Sequence, residues 1–254
     1  MSQNSPSENE TGNERSSGIT AYLEKLQAKC SEIVENSLEG DGAAILASSR
    51  HRAVELAAWM EAIGSRKESK LFRLAAIEHE YALLALAQGH YRHAFRGLRL
   101  VLELGLQAVY LSKNELMLRE WLQNSADTIW AAIIDEESGV FSKRVVLAFF
   151  PELEAHLPHY RSLAKSIYRE CSESVHGNLP QSTTLPNELA FSGATMRLWH
   201  ERAEGAMSVI HFAACLRYLK DLCADEISSI EPTLQQRLGH ISEIRALLSG
   251  PEIP

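Results

Sequence analysis

The stretch YRHAFRGLRLVLELGLQAVYL, residues 91–111, decides the fold class. Its polar residues Arg92, Arg96, Arg99, Glu103, Gln107 and Tyr110 recur at spacings of four, three, four, four and three, which draws one narrow stripe along an otherwise apolar helix. Arg99 and Glu103 stand at the i, i+4 spacing of an intrahelical ion pair. Upstream, Leu23, Leu26 and Ile33 recur at helical period from a Thr20 cap to the stop Gly40-Asp41-Gly42, and two further helices are predicted, one over 43–63 and one that begins after Ser65, runs through LFRLAAIEHEYALLALAQ and ends at Gly89. Downstream, shorter helices are predicted over 115–122, 126–134 and 143–150, with Pro151 and Pro158 punctuating the connections. A strong helix follows over 159–176, closed by Gly177, and 178–186 reads as a loop. Residues 187–223 read as one long helix or two, because Gly193 and Gly205 could break it, and a last helix is predicted over 233–248 before Gly250-Pro251.

The fold expected is therefore all-α: a single helical-bundle domain of about eight to ten helices over 19–250, preceded by a disordered polar tail over 1–18. With only 14 Gly and 8 Pro in 254 residues, turn-formers are too scarce for an all-β sandwich or barrel. Hydrophobic residues at 45% and charged residues at 23% exclude disorder for the bulk of the chain. A net charge of −8 argues against tight non-specific binding to nucleic acid, which rests on many Lys and Arg contacts to phosphate. The N-terminus has no basic segment followed by an apolar one, and the apolar run 98–111 carries Arg99 and Glu103, so neither a secretory signal nor a membrane span is expected and the cytoplasm is the default location. Cys30, Cys171, Cys215 and Cys223 lie far apart and read as reduced, mostly buried thiols.

Candidate chemistry concentrates in YRECSESVHG, residues 168–177. Arg169 and His176 are two helical turns apart and project from one face, with Lys165, Ser172 and Glu173 on or beside it. Leu163, Ile167, Tyr168, Cys171 and Val175 form the side that would anchor the helix. His176 falls in the last turn, where the helix dipole favours imidazolium. An Arg beside a His suits phosphodiester chemistry: the His moves a proton while the Arg stabilises charge developing on phosphate. The same Arg-to-His spacing class recurs at Arg73 and His79, but six positions put those two side chains on opposite faces. The stripe over 92–110 reads either as the outer face of its helix or as a polar seam against Arg169 and His176, where Glu103 would orient the His or the Arg and Arg99, Arg96 and Lys165 would be the cations that meet phosphate.

The late helix carrying Arg169, six residues and His176 resembles the HEPN superfamily, whose signature is an Arg, four to six residues and a His on a late helix of an all-α bundle. The resemblance runs from about residue 81 to 177. It implies a metal-independent endoribonuclease without cofactor, acting as a homodimer in bacterial stress or phage defence, as toxins of that superfamily do. His176 would transfer the proton and Arg169 would bind the phosphate during attack by the ribose 2′-hydroxyl. The alternative implied is a non-catalytic scaffold or sensor subunit serving a regulatory protein partner, with Trp199, Val209, Ile210, Phe212 and Leu216 available to an interface or to the core. His90 with His93, His156 with His159, and His211 with Cys215 could each supply half a metal site, but none has a third ligand nearby in sequence, so no metal is expected. The basic run Arg66, Lys67, Lys70, Arg73 reads as a solvated face.

Overall fold

The computed structural model describes the backbone of residues 8–176, 185–186 and 188–248, and the side chains of 18–173, 185–186 and 188–248. The described residues form eleven α-helices and two short 3-10 helices, with no strand among them. In chain order these are α1 (Glu8–Ser37), α2 (Gly42–Ala62), α3 (Ser69–Ala87), α4 (Tyr91–Ser112), α5 (Glu115–Leu122), α6 (Trp130–Ile133) and α7 (Lys143–Phe149). After the 3-10 helix Pro151–His156 come α8 (Leu157–His176) and α9 (Gly193–Tyr218); after the 3-10 helix Leu219–Asp221 come α10 (Ala224–Leu238) and α11 (Ser242–Leu247). No described helix is long and apolar enough to cross a membrane.

Helix α4 is central because its apolar circumference requires neighbours on several sides. It packs against α3, α8 and α9, while α9 also meets α2, α8 and α10. The polar stripe of α4 is solvent-facing only in its first half: Arg92, Arg96, Arg99 and Glu103 reach water or the groove beside α3, whereas Gln107 and Tyr110 are buried. Three glycines set the closeness of this packing. A Cβ on Gly105 would lie 2.7–2.8 Å from the side chain of Ile210 on α9, one on Gly97 would lie 2.7 Å from the Cβ of Ala82 on α3, and one on Gly205 would lie 2.8 Å from Ile167 on α8. Gly205 therefore does not break α9, although sequence reading left that open; its missing side chain admits α8, and neighbours outweigh helix propensity. Gly105→Ala is expected to destabilise the protein by about 1–2 kcal/mol despite its gain in helix propensity, because Ile210 is fully buried and cannot yield. Gly18→Ala, with open space around the new methyl, should be neutral or slightly stabilising, and urea denaturation of the two variants measures the contrast.

Several boundaries follow local chemistry. The α3–α4 turn is held by Gly89 at φ +79°, a conformation that β-carbon-bearing residues adopt rarely. Helix α5 starts where Asn114 Oδ1 accepts the N–H groups of Leu116 and Met117, and α7 starts where Ser142 Oγ accepts that of Val145. Other boundaries differ from expectation. Helix α1 begins at Glu8 rather than Thr20, overlapping the expected tail; residues 1–7, most of the expected loop 178–186 and the terminal Gly250-Pro251 lie outside the described residues. Helix α6 is a single turn, and α10 begins nine residues before Thr233 and continues through Pro232. Pro232 removes one N–H and crowds the carbonyl four residues earlier, yet Ile230, Leu234 and Leu238 all enter the core and hold α10 continuous. Trp199, Val209, Ile210, Phe212 and Leu216, read as core or interface, are all at most 1% exposed and belong to the core, where Phe212 stacks on Tyr160 at 3.8 Å.

Candidate functional site

Helix α8 carries the expected pair. Its buried side is formed by Tyr160, Ala164, Ile167 and Cys171, which fixes the opposite side outward. Arg169 is 72% exposed, and its nearest carboxylate is Glu173 one turn on, at 3.9 Å. His176 is the last residue of α8, and its side chain lies outside the described residues.

The seam between α4 and α8 exists, but its centre is Tyr168 rather than Arg169. Arg99 donates from Nη2 to the Tyr168 hydroxyl at 2.6 Å and from Nε and Nη2 to Glu103 Oε1 at 3.2 Å. The guanidinium lies 4.4 Å from the centre of the Tyr168 ring, and Trp130 of α6 stacks on that ring at 4.0 Å and 4°. Burial and the charge of Glu103 push the Tyr168 phenol up from its ordinary value, so it stays protonated at neutral pH. Glu103 thus engages Arg99 and Tyr168, and no contact of Glu103 with Arg169 joins them. Lys165 pairs with Glu136 at 3.3 Å, away from the seam. Glu170 meets Arg202 of α9 and accepts a 2.8 Å hydrogen bond from Ser166, which ties α8 to its neighbour.

Arg96 and Arg99 line a groove of about 450 Å³ between α3 and α4, together with Glu78, Tyr81, His93 and Glu103. Its cations and carboxylates alternate, so it carries no strong field of either sign. The basic run read as solvated is partly neutralised: Arg66 reaches Asp221 at 3.2 Å and Lys67 reaches Glu115 at 3.0 Å. Among the described residues no three His, Cys, Asp or Glu converge as a metal centre requires. The four cysteines are free, Cys171 and Cys215 buried, Cys30 partly buried and Cys223 exposed.

Sequence reasoning missed a second polar assembly, buried between α2, α9 and α10. Arg237 grips Glu55 with two bonds, 2.7 Å from Nε and 2.9 Å from Nη2, and extends Nη1 to Glu204 at 2.6 Å. Arg52, fully buried, reaches the other oxygen of Glu204, donates to Ser49 Oγ at 2.6 Å and approaches His200 Nδ1 at 3.0 Å. His211 joins the same assembly: its Nδ1 accepts the indole N–H of Trp59 at 2.8 Å, which leaves Nε2 to donate to Glu55 at 3.3 Å. His79 donates from Nε2 to the Ser49 carbonyl at 2.7 Å. Burial alone would raise the Glu55 pKa, but the hydrogen bonds from His211 and Arg237 outweigh it and hold the carboxyl at about 2. Burial pushes His79 down to about 4 and also lowers His211. Two arginines balance two carboxylates, and the members reach one another directly, so the assembly is a clamp joining three helices. Arg52 and Glu55, one turn apart on α2, and His200 and Glu204, one turn apart on α9, are the local signs of it in sequence.

The described residues define an all-α bundle with Arg169 on an exposed face of α8 and a largely buried ionic clamp between α2, α9 and α10. Compared with protein-family models, curated proteins and solved structures, the chain finds no match.

Proposed function

We propose that this protein is a HEPN-like, metal-independent endoribonuclease. The observation that carries the reading is that α8 runs unbroken through Arg169 and His176 and leaves Arg169 facing water. In the proposed reaction the ribose 2′-oxygen bonds to the adjacent phosphorus and the bond to the 5′-oxygen breaks. His176 takes the 2′-hydroxyl proton and a proton returns to the departing 5′-oxygen, while Arg169 offsets charge on the phosphate. The Arg99–Tyr168–Trp130 stack acts as a positioning element that fixes the start of the exposed face. Purified protein incubated with total RNA in chelator is expected to leave 2′,3′-cyclic phosphate ends and to spare DNA. Arg169→Ala and His176→Ala should each lower the rate about a hundredfold or more with the helical circular-dichroism signal unchanged. Equal cleavage by all three proteins, or by none, removes the support for this site.

A second reading, a scaffold that binds a protein partner or a second copy, is favoured by a specific surface. Leu74, Ile77, Tyr81 and Leu84 recur every three or four residues along α3 and are 36–64% exposed, and Ile19, Tyr22, Leu23 and Leu26 do the same on α1 at 37–57%. A scaffold tolerates His176→Ala and loses its partner with Leu84→Glu, so the two substitutions separate the readings.

A further inference from the structure

Away from α8, a concavity of about 420 Å³ opens where the end of α4 and the start of α5 face α7 and the turn 135–139. Lys113, Tyr110 and the exposed Asn114 and Arg144 are its polar lining, Met117 and Phe149 are among its apolar lining, and no acidic side chain lines it. In a chain of net charge −8 with many ion pairs, two cations sharing one hollow without a carboxylate between them are an anomaly.

Two nearby carboxylates are engaged in other contacts, although the charge of Asp135 still reaches Lys113 through space. Asp135 accepts the N–H groups of Glu137 and Ser138 and the Ser138 hydroxyl, closing the turn, and Glu115 pairs with Lys67 and Arg119 on the outer side of α5. Lys143, next to Arg144, pairs with Glu154 at 2.7 Å and leaves the hollow to Arg144, for which no ion pair forms among the described residues. The Lys113 ammonium donates to the Ser138 carbonyl and lies 4.2 Å from the centre of the Tyr110 ring, which fixes it in the hollow with donors to spare. The hollow is built rather than accidental: a Cβ on Gly139 would fall 2.4 Å from the Asp135 carbonyl, so glycine is required for the turn that presents Ser138 to Lys113.

We propose that this hollow binds a phosphomonoester dianion, with Arg144 supplying the planar fork, Lys113 the point charge and the apolar wall contacting whatever the phosphate esterifies. Its volume suits a small ligand of that kind. Burial, helped by the repulsion of Arg144 and opposed by the charge of Asp135, holds Lys113 down at about 8, so an arriving dianion would draw a proton onto it. This inference does not rest on the nuclease reading, because none of its residues lies in the α4–α8 seam.

The phosphate could belong to a free nucleotide or to the end of an RNA chain, and calorimetric titration of the full-length protein distinguishes them. The probes are inorganic phosphate, adenosine 5′-monophosphate, adenosine, and an oligoribonucleotide with and without a 5′-phosphate. Saturable binding of adenosine 5′-monophosphate but not adenosine is the expected result, with proton uptake near pH 8 revealed by buffers of different ionisation heat. Binding confined to the 5′-phosphorylated oligoribonucleotide keeps the phosphomonoester and assigns its source to a chain end. Lys113→Gln and Arg144→Gln should each weaken binding about tenfold or more, while Lys143→Gln stays within about twofold. Absence of saturation by every phosphorylated probe up to about 10 mM, or equal affinity in all variants, overturns the proposal.

Discussion

Arg237→Ala is expected to cost about 3–5 kcal/mol of folding stability. Arg237 is almost fully buried, and the carboxylate it grips, Glu55, is only 1% exposed. Removing the guanidinium takes away the bidentate partner of Glu55 and one of the two partners that hold Glu204, so buried negative charge is left uncompensated. For a chain of this size that loss lowers Tm by roughly 10 °C. Glu55 still has His211, whose protonation would partly compensate; the damage should therefore be somewhat smaller at pH 6 than at pH 8. Lys29→Ala removes an exposed i, i+3 pair with Glu32 and should change stability by less than about 0.5 kcal/mol. Urea denaturation followed by circular dichroism tests both. A loss below about 1 kcal/mol for Arg237→Ala would mean that the three helices are held by apolar packing alone.

The second large effect is on acid stability, and the same assembly sets its sign. His79 has a folded-state pKa of about 4, below its ordinary 6.5, so between those values the unfolded chain binds the proton and the folded one does not. Stability is complete above pH 6.5 and falls as the pH drops towards 4, by on the order of 3 kcal/mol. His211, buried and lowered in the same way, adds to this loss. Glu55, held at about 2 against 4.5, contributes stability that is present above pH 4.5 and lost as the pH falls towards 2, again on the order of 3 kcal/mol. The urea midpoint should therefore decline from pH 7 to pH 4 before carboxylate titration adds its share. In His79→Gln the slope between pH 6.5 and 4 should flatten, since Gln can donate to the Ser49 carbonyl without titrating. A midpoint unchanged from pH 7 to pH 5 in the parent protein would show that neither histidine stays neutral in the folded state.

Much of this protein is legible in its sequence by itself. Apolar residues at helical spacing and the stop at Gly89 are local instructions, and they place α2 to α5, α7 and α8 to within a few residues, except that α3 begins at Ser69. The i, i+4 pairing of Arg99 with Glu103 and the outward face of α8 at Arg169 follow from the same periodicity. What only the tertiary structure decided are the features whose partners lie far along the chain. Glu103 turns to Arg99 and Tyr168 because the side of α8 that meets α4 carries Tyr168, while Arg169, one residue on around the helix, is turned to solvent. Pro232 stays inside a helix because three leucine and isoleucine side chains on one face are buried together, and Gly205 spans a helix because Ile167 occupies the space beside it. The ionic clamp joins residues 52, 55, 204, 211 and 237 from three helices, and Lys113 and Arg144 line one hollow although thirty residues, α5 and α6 among them, separate them in the chain. Helix propensity and capping act over one or two turns of chain, whereas packing depth, burial and charge pairing depend on which helices become neighbours, and that is settled only when the bundle closes.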